Sequence, residues 1–252
     1  KALSYARRVP LVPVNHLEGH LYSAHLRSAG EPALPMTYPF HGLVVSGGHA
    51  ELVRAEEDRV VPLARTRDDA PGEAFDKVAR RAGLGYPGGP VIDRIAARGD
   101  GSRHPLPIPR AGDGSRDFSF SGLKTAMLRE FEKRGVDGSR LEPESLPQDL
   151  VDLFASFQRA IVTALVERVE AVRREEGITR FALSGGVASN SELRASFSRW
   201  GEDHRIPVYL PERSLTTDNA AMIAWAGLLR FRKDGPQDPA GAAARSRWPL
   251  GS

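Results

Sequence analysis

The chain contains no cysteine in 252 residues. That absence excludes a disulfide framework, a cysteine-ligated zinc finger, an iron–sulfur centre and a thiol nucleophile, and it fits a reducing cytoplasm. Long apolar runs are missing as well. No stretch approaches the roughly 18 to 20 residues of a membrane helix, so no helical membrane span is expected. Lysine is scarce: only Lys1, Lys77, Lys124, Lys133 and Lys233 occur among 35 basic residues. The rest are arginine, whose planar fork suits phosphate, although a genomic bias toward arginine explains the same composition. Against 32 acidic residues the formal net charge is only +3, which permits a nucleic-acid partner without demanding one. Neither a Walker-type phosphate loop nor a Ser/His/Asp set is legible. No signal-peptide pattern is present, and residues 1–8 (KALSYARR) read as the last turns of a helix, so an upstream part is expected.

What is present is ordinary globular composition, 40% hydrophobic and 27% charged. Residues 10–14 (PLVPV) are a short strand candidate, and a helix is expected over 16–27. Residues 30–39, with their prolines, read as a connection. Strands follow at 42–46, 49–53 and 60–64, a β-meander. The pattern then turns helical at 73–82, 90–97 and 122–133, with a Gly/Pro/Ser/Asp-rich loop over 101–117. The longest apolar periodicity predicts a helix over 150–175. A strand at 180–183, a helix at 189–200, a strand at 207–210 and a helix at 218–232 complete an α/β alternation with a helical insertion near 70–150. The tail after Gly235 is Ala/Gly/Pro-rich and is expected to pack loosely.

His16 and His20, in HLEGH, stand four apart, which places both imidazoles on one helix face and lets them share a metal. The order differs from a metallopeptidase HExxH: Glu18 lies about 200° round the helix from His16 and points away from such a metal. Two exposed or capped histidines are the plainer reading of the pair. Asp218 stands beside Thr216 and Thr217 at a helix start, as an N-cap or as the carboxylate that completes a two-His, one-carboxylate site suited to iron(II) or zinc. The turn in VVSGGH offers backbone N–H groups to a phosphate or carboxylate. A second Ser-Gly-Gly, in LSGGVASN, leads into a helix N-terminus, where Asn190 binds a ligand or caps. In DDAPGEAFDK the acids fit a helix start with Glu73–Lys77 and Asp76–Arg80 pairs, an account that covers Asp68 and Asp69 less well.

Seven motifs occur in one order: HLEGH, VVSGGH, DDAPGEAFDKVAR, LGYPGGP, FSFSGLKTA, SGGVASN and TTDNAAMIAWAG. The series closely resembles the bacterial tRNA adenosine threonylcarbamoyltransferases, the TsaD family, over nearly the whole chain. The resemblance implies an α/β, actin/Hsp70-like (ASKHA) fold of two lobes. Residues 1–36 are then a remnant of the first lobe, 37–235 the second lobe with its helical insertion, and 236–252 a tail. It implies transfer of the threonylcarbamoyl group of threonylcarbamoyl-AMP to the N6 amine of adenosine 37, in tRNAs reading codons that begin with A. It implies one divalent metal, iron(II) or zinc, on His16, His20 and Asp218. Val44, Val45, Ser46, Gly47, Gly48, Asp76, Gly89, Asp93 and Asn190 would line the substrate site. The partners implied are tRNA, a paralogous ASKHA subunit and a P-loop ATPase subunit, in the cytoplasm.

Family members carry a Gly-Ile-Glu-Thr-Ser-like loop and a Gly-Pro-Gly loop ahead of the segment that matches Lys1. Roughly a hundred residues, most of a first lobe, are therefore absent by this comparison. Without them a sheet edge and half a cleft are exposed, which motivates a second reading as a non-catalytic nucleotide- or partner-binding remnant. A metallopeptidase is the third reading, disfavoured by the position of Glu18.

Overall fold

In the computed structural model, residues 1–27, 34–35, 37–136, 138, 141–236, 238, 241–245 and 248–251 are described. Among these residues five strands form one sheet: β1 (Phe40–Val45), β2 (Ala50–Ala55), β3 (Val60–Arg65), β4 (Phe181–Ser184) and β5 (Val208–Tyr209). Their order is β3-β2-β1-β4-β5. The meander β1-β2-β3 is antiparallel, whereas β4 lies parallel to both β1 and β5. β1 is buried along its whole length, which is why its sequence runs apolar without alternation.

The two faces of β1 feed two cores. Leu43 and Val45, with Leu52 and Leu183, meet a large helical layer. That layer consists of α3 (Pro71–Arg81), α4 (Gly88–Ala96), α5 (Ser121–Lys133), α6 (Gln148–Glu176) and α7 (Ser191–His204). Val44, Val53 and Ala182 face the other way, against α2 (His16–Ser23). α8 (Ala220–Asp234) packs on α2, and a short α1 (Ala2–Arg7) opens the chain. α6 is 29 residues long, about 43 Å at 1.5 Å per residue, and Gly177 ends it at φ 72°. No helix among the described residues is long and apolar enough to cross a membrane.

Three expectations need correction. Residues 10–14 form no strand, because Pro10 and Pro13 remove two of the N–H donors a ladder needs. α2 stops at Ser23, four residues early: Ser23 Oγ takes the His20 carbonyl, and the next turns tighten to His25 N–H→Tyr22 O and Leu26 N–H→Ser23 O. The tail is not loose throughout. Leu250 is 2% exposed in the α2-side core, and Arg230 stacks over the Trp248 ring. Of the connection expected at 30–39, residues 30–33 and 36 lie outside the described residues.

Candidate active site

Asn15 caps α2 through its side-chain oxygen, which accepts from Leu17 N–H at 2.9 Å. The helix then presents His16 and His20 on one face, ring centroids 4.8 Å apart at 85°. At the start of α8 the cap is Asn219, accepting from Met222 N–H at 2.9 Å. Asp218 is thereby released from capping. Its Oδ1 lies 3.0 Å from His20 Nε2 and 3.4 Å from His16 Nε2. One donor atom from each of the three residues falls within 4.8 Å of the others. His20 is only 1% exposed, and burial first, then the nearby His16, keep its pKa below the ordinary histidine value against the pull of Asp218. A neutral imidazole is the form that ligates a metal. Two converging imidazole nitrogens and one carboxylate oxygen, with His16 and Asp218 open to solvent, fit a divalent ion that keeps free positions for a ligand. Glu18 instead lines a cavity of about 520 Å³ with Tyr22, Arg230 and Lys233, away from this trio.

The two Ser-Gly-Gly turns lie back to back at the carboxyl ends of the parallel neighbours β1 and β4, the end of an open α/β sheet at which ligands bind. Gly185 sits at φ 89°, and a Cβ there would stand 2.4 Å from Val45 O. A Cβ on Gly72 would stand 2.7 Å from both Gly47 Cα and Ser46 O, so only glycine lets the first turn of α3 close on the hairpin. Glu73 N–H completes that contact by donating to Gly47 O at 2.9 Å. Side-chain space at Gly47, Gly48, Gly89 and Gly186 is open. Val44 and Val45 are fully buried, backbone as well as side chain, and so stand behind the turn rather than in it.

The remaining sequence-derived residues brace this end of the sheet. Asp76 accepts from Gly88 N–H at 2.8 Å rather than pairing with Arg80. Asp93 accepts from Ser191 N–H at 3.0 Å and Ser191 Oγ at 2.6 Å, joining α4 to α7. Asn190 caps α7 by accepting from Leu193 N–H, while its amide donates to Gln158 Oε1 at 2.7 Å. Of the two alternatives for Asn190, the described geometry uses the cap.

Several residues gain a role that sequence reasoning did not give them. His49 closes the first turn by accepting from Ser46 N–H at 2.8 Å; burial, and then His16, lower its pKa against the pull of Glu73. The aspartate pair also finds its explanation. Asp68 accepts from Phe120 N–H and Ser119 Oγ, at 2.9 and 2.5 Å. Asp69 holds both Lys77 and Lys124, the latter at 2.6 Å. Burial raises the Asp69 pKa, and the two ammonium groups outweigh it, leaving it below the usual range. The FSFSGLK motif is thus tied to the start of α3, a link visible in sequence only as unexplained acids.

The fold resembles that of full-length HypF solved in a phosphate- and nucleotide-bound form, with a TM-score of 0.61 at 13% identity over 93% of this chain and 46% of that one. HypF of T. kodakarensis gives 0.58 at 14% identity, over 92% and 38%. At such identity the likeness concerns the fold alone. Sequence relatives are nearer. The tRNA N6-adenosine threonylcarbamoyltransferase of Gluconobacter oxydans is 42% identical over 99% of this chain and 68% of its own length. The proteins of that name from Geobacter metallireducens and Thermodesulfovibrio yellowstonii are 46% and 47% identical, covering 99% and 92% of this chain and 70% and 67% of theirs. The chain thus spans about two thirds of the length of these relatives. The family profile of TsaD, tRNA N6-adenosine threonylcarbamoyltransferase, matches residues 1–225, and with these relatives it establishes that the chain belongs to the TsaD family.

Proposed function

We propose that this chain transfers the threonylcarbamoyl group of threonylcarbamoyl-AMP to the N6 amine of adenosine 37 in tRNAs reading codons that begin with A. The observation that carries the reading is the convergence of His16, His20 and Asp218 into one two-His, one-carboxylate donor set in a TsaD-family chain. The adenylate phosphate suits the open backbone at Gly47, Gly48 and Gly186, near the start of α7. Asp76 and Asp93 each spend part of their accepting capacity on a helix start. A carboxylate has about four lone-pair sites, so both retain acceptors for ribose or threonyl hydroxyls. Ser46 and Gly89 complete the walls, with the buried Val44, Val45 and Asn190 behind them.

In the reaction the N6 lone pair attacks the carbamoyl carbon, the bond to the phosphate oxygen breaks, and AMP leaves with that electron pair while the amine gives up a proton. A divalent ion on His16, His20 and Asp218, iron(II) or zinc, supplies Lewis-acid polarisation and orientation. The chain's own part is to hold the two substrates at reacting distance. The reading includes the actin/Hsp70-like lobe over 37–235, the division at 1–36 and 236–252, a paralogous ASKHA partner, a P-loop ATPase partner and a cytoplasmic setting.

The test is transfer of labelled threonylcarbamoyl from its adenylate to tRNA, with partner subunits supplied and folding checked by circular dichroism. Label on adenosine 37 supports the proposal. Folded wild-type protein that leaves tRNA unlabelled sinks it for this chain.

A further inference from the structure

Loop 109–115 and the middle of α6 enclose a hollow of about 280 Å³, lined among others by Arg110, Gly114, Ser115, Ala164, Glu167 and Arg168. Its carboxylate neighbours are already engaged. Glu167 holds Arg110 at 3.0 Å, Asp117 holds Arg67 at 2.6 Å, and Asp113 also pairs with Arg67. Arg116, nearby, is taken by Glu175 and Glu176. Arg168 alone of the arginines around the hollow has no ion pair among the described residues. Burial lowers its pKa first; the charges of Arg110 and Arg116 add to that, against the pull of Asp117 and Glu167. A half-buried guanidinium without a counter-ion is costly, and an anion in the hollow relieves the cost.

The form of the hollow narrows the anion. No aromatic ring among the described residues lines it, so it offers a base or an apolar ligand nothing to stack on. Arg110 and Gly114 are exposed, leaving it open to a group carried on a long polymer. Arg168 lies ten residues beyond Gln158, whose side chain holds Asn190 at the candidate site. That is about 15 Å along α6, within reach of an RNA strand whose base occupies the site.

We propose that Arg168, assisted by Arg110, receives a backbone phosphate of the tRNA substrate in this hollow, an inference that rests on the tRNA-modifying reading. Planar guanidinium forks suit phosphate oxygens, and such contacts position RNA without reading its sequence.

The experiment measures tRNA affinity across a salt series for the wild type, Arg168→Gln and Arg168→Lys, beside the transfer assay and thermal melts. The expected result for Arg168→Gln is binding weakened about five- to tenfold at low salt. The slope of log affinity against log salt should shrink by about 0.7 to 0.9, the loss of one phosphate contact. KM for tRNA rises while kcat holds, and Arg168→Lys recovers part of the affinity. Unchanged affinity and slope in folded Arg168→Gln overturn the proposal, and do so even when the wild type transfers normally. Inorganic phosphate is the separate arm. If phosphate raises the melting point of the wild type and not of Arg168→Gln, while tRNA binding is equal, the hollow serves a small anion and the proposal fails. A wild type that modifies no tRNA defeats the functional reading, and the binding series still decides whether the hollow holds RNA.

Discussion

His25 is 1% exposed and neither ring nitrogen has a hydrogen-bond partner among the described residues. It packs as an aromatic plate, 5.1 Å from the Phe40 ring and 5.3 Å from Tyr209. Burial lowers its pKa to about 4. Between about 6.5 and about 4 the unfolded chain binds a proton there and the folded chain does not, so stability rises with pH across that window and falls on acidification. At most about 3 kcal/mol is involved. His25→Leu should flatten urea-derived stability between pH 6.5 and 4 and cost little at pH 7, since it deletes two unpartnered polar atoms. A mutant as acid-sensitive as the wild type would count against this. A second residue-scale contrast separates cap from ligand at α8. Asp218→Ala should abolish metal retention while costing about 1 kcal/mol of metal-free stability, the loss of one hydrogen bond to the buried His20 ring. Asn219→Ala should cost about 1 kcal/mol through the lost cap. Metal content after dialysis and melts without metal give the two readouts, and metal retained by Asp218→Ala would refute the ligand assignment.

Among the elements, the two Ser-Gly-Gly turns look alike in sequence and differ in how much room they have. Gly185 combines a positive φ with a blocked Cβ, whereas Gly48 has open space. Gly185→Ala should therefore lower stability by about 1–3 kcal/mol through strain against the Val45 carbonyl. Gly48→Ala should leave the melting point nearly unchanged and weaken threonylcarbamoyl-AMP binding by intruding on the substrate. Equal melting losses in both would remove the distinction. That difference was not legible in the sequence, because it depends on which turn the other presses against. The elements themselves were largely legible. The periodicity over 150–175 became α6, and the meander and the parallel strand fell within a residue or two of their expected ends. Where the reading failed, a local bond had won. Prolines blocked the strand at 10–14, and the Ser23 hydroxyl shortened α2. At the site, the i,i+4 spacing of His16 and His20 announced a shared face. The meeting with Asp218, 198 residues away, is a tertiary fact that only the motif order anticipated.

At the scale of the molecule, the sheet is covered on one face by a deep helical layer and on the other, among the described residues, by little more than α2, on which α8 packs, and the chain's end. The thinner side carries the proposed metal ligands, so their placement depends on few contacts. Residues 248–251 supply several of them. Leu250 joins Leu17, Phe40 and Val60 in the core, and Asn15 Nδ2 donates to the Trp248 and Pro249 carbonyls at 2.8 and 3.2 Å. Asn15 immediately precedes His16, so the tail fixes the end of α2 from which His16 projects. Composition could not reveal this, since an Ala/Gly/Pro-rich run hides one buried leucine. Leu250→Ala should cost about 2 kcal/mol by leaving a cavity. Removing residues 248–252 should cost more, and should also weaken metal binding, because Asn15 loses both acceptors and α2 its anchor. Urea unfolding and zinc titration on the two variants give the measurements. A truncated chain that keeps its midpoint and its zinc affinity would mean that α2 is held by α8 and the sheet alone.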